Sequence, residues 1–216
     1  MGFPNVDKML VKMFIAGFAT IKADSTPLLD IFGDLDQGEI AEVAQYLGHK
    51  QFTSDIRKRD DGQVYILPDF PRLDMPFPQI SVHVGEEGMD RYLGDTLGES
   101  VPVMDGENVV AWDMVKGYLA PGNWKVNVIC ATKDEAIWLT RCCQYFICQN
   151  LTAMEQQGLV EVLISVMDMQ PAPGQQPIDV CCRAIQITGK VENTWKVRVP
   201  AFSFETGNNV ALTKET

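Results

Sequence analysis

Histidine is nearly missing from this chain: His49 and His83 are the only two in 216 residues. A His-based triad or a His-rich metal site therefore has little to draw on. No His-Glu-x-x-His or His-x-Glu pattern occurs. Phosphate-cradling glycine loops are lacking as well. There is no Gly-x-Gly-x-x-Gly, no Gly-x-x-x-x-Gly-Lys-Ser/Thr and no Gly-x-Ser-x-Gly nucleophile turn. His83 sits in a strand pattern and reads as structural. No catalytic residue, cofactor or metal site is assigned. Carboxylate chemistry is the one enzyme class that composition leaves open, because acids are abundant.

Positive charge is scarce too. The chain carries 18 Lys+Arg against 29 Asp+Glu, a net charge of −11. Broad electrostatic binding of nucleic acid needs basic groups to displace phosphate counterions, so it is disfavoured. Long apolar runs are missing: none approaches the roughly 18 residues of a membrane span. The stretch Met9–Thr20 superficially resembles a signal peptide, but Lys12 breaks its apolar run and Asp7 sits in the would-be basic region. Val6 stands where a myristoylation motif wants Ser or Thr. The six cysteines include the adjacent pairs Cys142-Cys143 and Cys181-Cys182, with no Cys-x-x-Cys. Neighbouring side chains diverge on a helix and alternate on a strand, so neither pair converges on a zinc ion. They read as reduced, mostly buried thiols of a chain assembled in a reducing cytoplasm.

What is present is local negative charge. Asp24, Asp30, Asp34, Asp36, Glu39 and Glu42 form one segment of −6. Glu86, Glu87, Asp90, Asp95, Glu99, Asp105 and Glu107, with only Arg91 among them, form a second segment of −6. The remainder is nearly neutral. Such segments are either solvated surfaces or a field aimed at a partner or channel.

Apolar periodicity predicts an amphipathic helix over 5–22, a short helix from Pro27, and a helix over 37–47 with Asp36 as N-cap and Gly48 as stop. Strands are expected at 64–67 and 79–84. Between them lies Pro68–Pro78, whose four prolines predict an extended surface segment. The acidic stretch 86–108, punctuated by glycines, reads as a long loop. Strands at 109–119 and 124–130 are expected to form an antiparallel pair turned at Pro121-Gly122. The best helix spans 133–157, N-capped by Thr132 and ended by Gly158. Its apolar residues cover more than half its circumference, which fits either a helix buried in a large core or one with a second face against a neighbouring subunit; Trp138 and Tyr145 are candidate interface anchors on the second reading and core residues on the first. Further strands are expected at 159–166, 178–189 and 194–200.

The expected fold is α+β: a mainly antiparallel, mixed sheet covered by one long helix, with an N-terminal helical segment. The expected organisation is helices over 1–50 packing on the rest of the chain, a core over 51–200 with the acidic loop 86–108, and a tail over 201–216.

Several stretches together resemble neck and tail-terminator proteins of contractile-tailed bacteriophages. They begin with Pro71-Arg-Leu-Asp-Met-Pro-Phe-Pro-Gln-Ile-Ser-Val82, then Glu86-Glu87 and Arg91-Tyr-Leu-Gly-Asp95. The strand Trp124-Lys-Val-Asn-Val-Ile-Cys130 comes next, then Thr132-Lys-Asp-Glu135, leading to Leu159-Val-Glu-Val-Leu-Ile-Ser165. Arg183-Ala-Ile-Gln-Ile187 precedes Trp195. The resemblance covers roughly residues 64–200. It implies a non-enzymatic virion protein, assembled in the host cytoplasm, that forms a ring, usually a hexamer. The ring ends the tail tube and joins tail to the head-side connector. The implied partners are further copies of itself, tube and possibly sheath proteins, and connector proteins, with DNA passing through unbound. On that reading Glu86, Glu87, Asp90, Asp95, Glu99, Asp105 and Glu107 are candidates for a negative lumen wall. The competing expectations are another head–tail joining or sheath-associated protein, or a soluble enzyme using carboxylates.

Overall fold

The computed structural model describes residues 6–57, 60, 62–68, 72, 75–87, 91–94, 101–106, 108–169 and 180–200. The chain is α+β. Helices α1 (Val6–Ala23), α2 (Pro27–Ile31) and α3 (Gln37–His49) lead into β1 (Gln51–Thr53), β2 (Gln63–Leu67) and β3 (Gln79–Glu87). Then come β4 (Arg91–Gly94), β5 (Val101–Asp105) and β6 (Asn108–Cys130). Helices α4 (Lys133–Gln149) and α5 (Leu151–Gln156) precede β7 (Leu159–Met169) and β8 (Cys181–Pro200). The strands form one sheet in the order β1-β2-β3-β6-β8-β7, with β4 and β5 added to β6. The β1–β2 and β2–β3 pairs are parallel and the others antiparallel.

The helix starts follow from local chemistry. Asp36 accepts from the Glu39 backbone N–H at 2.8 Å, while the Glu39 carboxylate accepts from the Asp36 N–H at 3.0 Å. This capping box satisfies two otherwise orphaned donors. Thr132 caps α4 by accepting from the Glu135 N–H at 3.3 Å. Gly48 does not stop α3, which runs on to His49. The predicted long helix is interrupted at Asn150. Its side-chain amide donates to the Phe146 carbonyl at 2.8 Å, and a new short helix begins at Leu151.

One core joins the helices to the inner face of the sheet. Leu10, Phe14 and Phe18 of α1 and Leu139, Cys143, Phe146 and Ile147 of α4 pack over Ile80, Val82, Trp124, Val126, Val128, Ile185 and Ile187. Phe18 stacks on Phe52 of β1 at 3.9 Å between ring centroids and meets the edge of Phe146 at 5.1 Å. The α1–α4 approach depends on Gly17. A Cβ there would stand 2.7 Å from the Phe146 ring. The N-terminal helices thus share the sheet's core rather than forming one of their own.

A smaller cluster of Tyr65, Leu67, Met75 and Ile56 lies on the other side of the sheet. Met75 is buried, so the proline-rich connection is not wholly a surface segment. The buried Gln79 amide holds that connection. Its oxygen accepts from the Arg72 N–H at 2.9 Å, and its nitrogen donates to the Arg72 and Met75 carbonyls at 2.7 and 3.0 Å.

The largest departure from expectation is in the strands. Residues 109–119 and 124–130 are not a hairpin. They form one strand of 23 residues, paired without interruption to the 20-residue β8, which likewise merges two expected strands. Pro121-Gly122 is not a turn, for two physical reasons. On one side of β6, β3 pairs up to Gly122 and β4 begins its pairing at Leu119, so Pro121 falls in the gap between partners. A missing N–H is tolerated there. Gly122 is bare because the Trp124 ring lies over it, and a Cβ would stand 2.0 Å from that ring. Its partner across the ladder is also a glycine, Gly189.

Candidate assembly surface

The expected acidic loop 86–108 is not simply a loop. β3 runs on to Glu87, and β4 and β5 lie within the segment, both antiparallel to β6. The signal was weak because these strands are short and β5 has no buried residue; its pattern is exposed except for half-buried Val103. Of the candidate lumen acids, Glu86 and Glu87 fall at the end of β3, and Asp105 lies exposed on β5 opposite Asn108. Asp90, Asp95, Glu99 and Glu107 lie outside the described residues, as does the tail 201–216.

β5, β6 and β8 make an arm. The β6–β8 ladder runs from Cys130↔Cys181 to Ala111↔Pro200. At roughly 3.3 Å per residue, twenty pairs span about 65 Å. Helix α4, with 17 residues, covers only about 25 Å at 1.5 Å per residue. Among the described residues, neither hydrophobic cluster includes any from 101–120 or 192–200. The distal half of the ladder therefore extends past the core. Asp113 and Arg198 sit opposite one another there and form a two-bond ion pair at 2.7 and 3.0 Å. Arg198 holds the Asp113 carboxyl below the usual carboxylate range.

The arm exposes apolar residues on both of its faces. Val101 is 60% exposed, Met104 52%, and Val109 and Val110 37% and 45%. Sequence reasoning missed these four. The signal was the adjacent pair Val109-Val110, since apolar residues on both faces of a strand call for two covering layers. Among the described residues the chain supplies neither layer. Leu163 and Met167, on the outer face of β7, are exposed as well.

The two expected anchors lie on α4 and are half-buried. Trp138 packs against Tyr46 of α3 at 5.5 Å. It lines a cleft of about 310 Å³ with Phe32, Leu35, Glu39, Glu42, Asp134 and Arg141. Tyr145 meets Phe146 at 6.1 Å. The first acidic segment has largely local duties. Asp24 accepts from the Thr26 hydroxyl and N–H at 2.6 and 2.9 Å, and Asp36 and Glu39 form the cap described above. Asp34 accepts two bonds from Arg141 at 2.6 and 2.9 Å, which lowers its carboxyl pKa. Of the six acids, Asp34 is the one bonded to α4, and all six remain exposed.

Among the described residues, no group of three or more His, Cys, Asp or Glu is placed to hold a metal ion, and no helix is long and apolar enough to cross a membrane. No protein-family model matches the chain, and no curated protein matches it significantly.

Proposed function

We propose that the protein is a structural component of a tailed bacteriophage particle, a ring at the neck that ends the tail tube and joins tail to head connector. The observation that carries this reading is the β5–β6–β8 arm. Val101, Met104, Val109 and Val110 are exposed on a distal ladder that, among the described residues, contributes to neither hydrophobic cluster; apolar surface of this kind is what a neighbouring chain would cover. An assembly protein has such surface by necessity. The resemblance of residues 64–200 to neck and terminator proteins supports the particular assembly.

The charge fits the location. DNA passing through a ring meets least friction when the wall repels it, and the segment 86–107 carries −6. Glu86, Glu87 and Asp105, with Asp90, Asp95, Glu99 and Glu107, are the residues proposed for that wall.

The test is imaging of purified particles with density traced to this chain. The expected result is a cyclic assembly at the head-proximal end of the tail. Density at another head–tail position or on the sheath would reassign the protein within the particle. Absence from the particle would end the structural reading.

A further inference from the structure

The body end of the β6–β8 ladder carries a pair of thiols. Cys130, the last residue of β6, stands directly opposite Cys181, the first of β8. Residues directly opposite on antiparallel strands share a face. Here that face is the inner one, because Cys130 belongs to the main core and Cys181 packs against it. The next pair along, Ile129 and Cys182, points the other way. Directly opposite Cα atoms lie about 4.5–5.5 Å apart. A disulfide spans about 4.4–6.8 Å between Cα atoms. The backbone therefore already holds these two thiols at bonding range.

The two differ in access. Cys130 is fully buried, whereas Cys181 is half-buried. Cys181 lines a cavity of about 470 Å³ between the start of α4 and the β7–β8 end of the sheet. Lys133, Ala136 and Ile137 form the helical wall of that cavity, and Asp168 and Arg183 belong to the sheet side. The volume admits several water-sized molecules. Arg183 is bonded to Asp168 at 2.7 Å, so Lys133 and the first turn of α4 set the sign of the cavity, which is positive.

We propose that Cys181 and Cys130 form a peroxide-reactive dithiol site, in which Cys181 takes the oxidant and Cys130 closes the disulfide. The Cys181 thiolate attacks one oxygen of hydrogen peroxide. The O–O bond breaks, hydroxide leaves, and Cys181 becomes a sulfenic acid. The Cys130 sulfur then attacks the sulfenic sulfur. The S–O bond breaks, the S–S bond forms, and the Cys130 proton leaves with the displaced hydroxide as water. Two thiols are oxidised, and one peroxide is reduced to two waters. The order follows from burial. Oxidant in solvent has no path to Cys130, and burial pushes that thiol up, so it reacts only with a sulfur already held beside it. The product ties β6 to β8 and closes a loop of about 50 residues, which restricts the unfolded chain.

The test starts from the full wild-type chain, reduced, desalted and given a small excess of hydrogen peroxide. Non-reducing peptide mapping should find Cys130 joined to Cys181, and dithiothreitol should restore both thiols. Two variants read the order. In Cys130→Ala, Cys181 should persist as the sulfenic acid and be trapped by dimedone. In Cys181→Ala, Cys130 should lose its free thiol at least about tenfold more slowly than in wild type. The wild-type map stands even if a variant fails to fold. Cys143 also approaches Cys130 from α4, so a Cys130–Cys143 bond is the rival product and would overturn the site. Dimedone on Cys182 in place of Cys181 would overturn it too, as would Cys130 and Cys181 still free once the exposed Cys148 has been oxidised. None of these results bears on the ring.

Discussion

Cys142 and Cys143 occupy consecutive positions on α4 and are both buried, because the apolar surface of this helix is wide enough to take neighbouring side chains inward. Burial pushes the Cys142 thiol up to about 12 and Cys143 well above its ordinary value. Cys130 is raised as well, by burial first and then by the nearby Glu135 carboxylate. Only the thiolate reacts, so these three thiols are shielded twice, by access and by ionisation. Cys148, on the same helix, is exposed. A maleimide pulse at pH 7 followed by mass spectrometry should label Cys148 and leave Cys130, Cys142 and Cys143 intact. Raising the pH to 9 should not change that, because all three thiols remain protonated there. Labelling of Cys143 in the folded chain would contradict its placement. That most cysteines are buried was expected from a chain long enough to have its own core. Their partners were not legible, because which helix faces which strand is a tertiary fact.

At the scale of elements, the helices were legible and the long strands were not. Period, cap and stop signals located α1 and the starts of α3 and α4 within a residue or so, since these signals act within one turn. Pro121-Gly122 failed as a signal for the opposite reason. A Pro-Gly pair reads as a turn when only neighbours are considered. Here its meaning is set by a change of partner strand on one side and a tryptophan ring on the other. Residues 101–105 were passed over because a short strand with no buried residue leaves little trace in hydropathy. The same distinction between local and non-local demand makes Gly17 informative. In an exposed helix, Gly to Ala would add about 1 kcal/mol of stability. At Gly17 the new methyl meets the Phe146 ring at 2.7 Å, and overpacking of this kind costs about 1–3 kcal/mol. Gly17→Ala should therefore lower stability, by up to about 2 kcal/mol net. Chemical denaturation of the isolated chain checks this. A gain in stability would mean that α1 and α4 can separate without loss.

At the scale of the molecule, body and arm differ in what supports them. The body end of the β6–β8 ladder lies under α4 and includes the buried Trp124, Val126, Val128, Ile185 and Ile187. The arm end has exposed Val109 and Val110 and an ion pair on its surface. Local opening follows buried contact. Hydrogen exchange on the unassembled chain should show amides of 109–113 and 196–200 exchanging at least about tenfold faster than those of 124–130 and 182–188. On assembly the arm amides should slow. Uniform protection along the ladder in the free chain would mean that the arm needs no neighbour. The candidate assembly surface was only half legible in advance. Its charge could be read from the sequence, but the β6–β8 ladder that carries it emerges from pairings between residues about 50–90 positions apart.

Those separations also set an order in time. The ladder's nearest ends are Cys130 and Cys181, and its farthest are Ala111 and Pro200. Closing the shorter loop first costs less entropy, and each pair formed brings the next within reach. The β6–β8 ladder therefore zips outward from the body, and its distal pairs are the last of that ladder to form, whereas the β5–β6 pairing closes locally. The outer part of β8 thus takes its place on the sheet only after the body end of the ladder has closed. A copy whose body end has not closed has no ordered distal β8, so this end of the sheet reports on whether the body has folded.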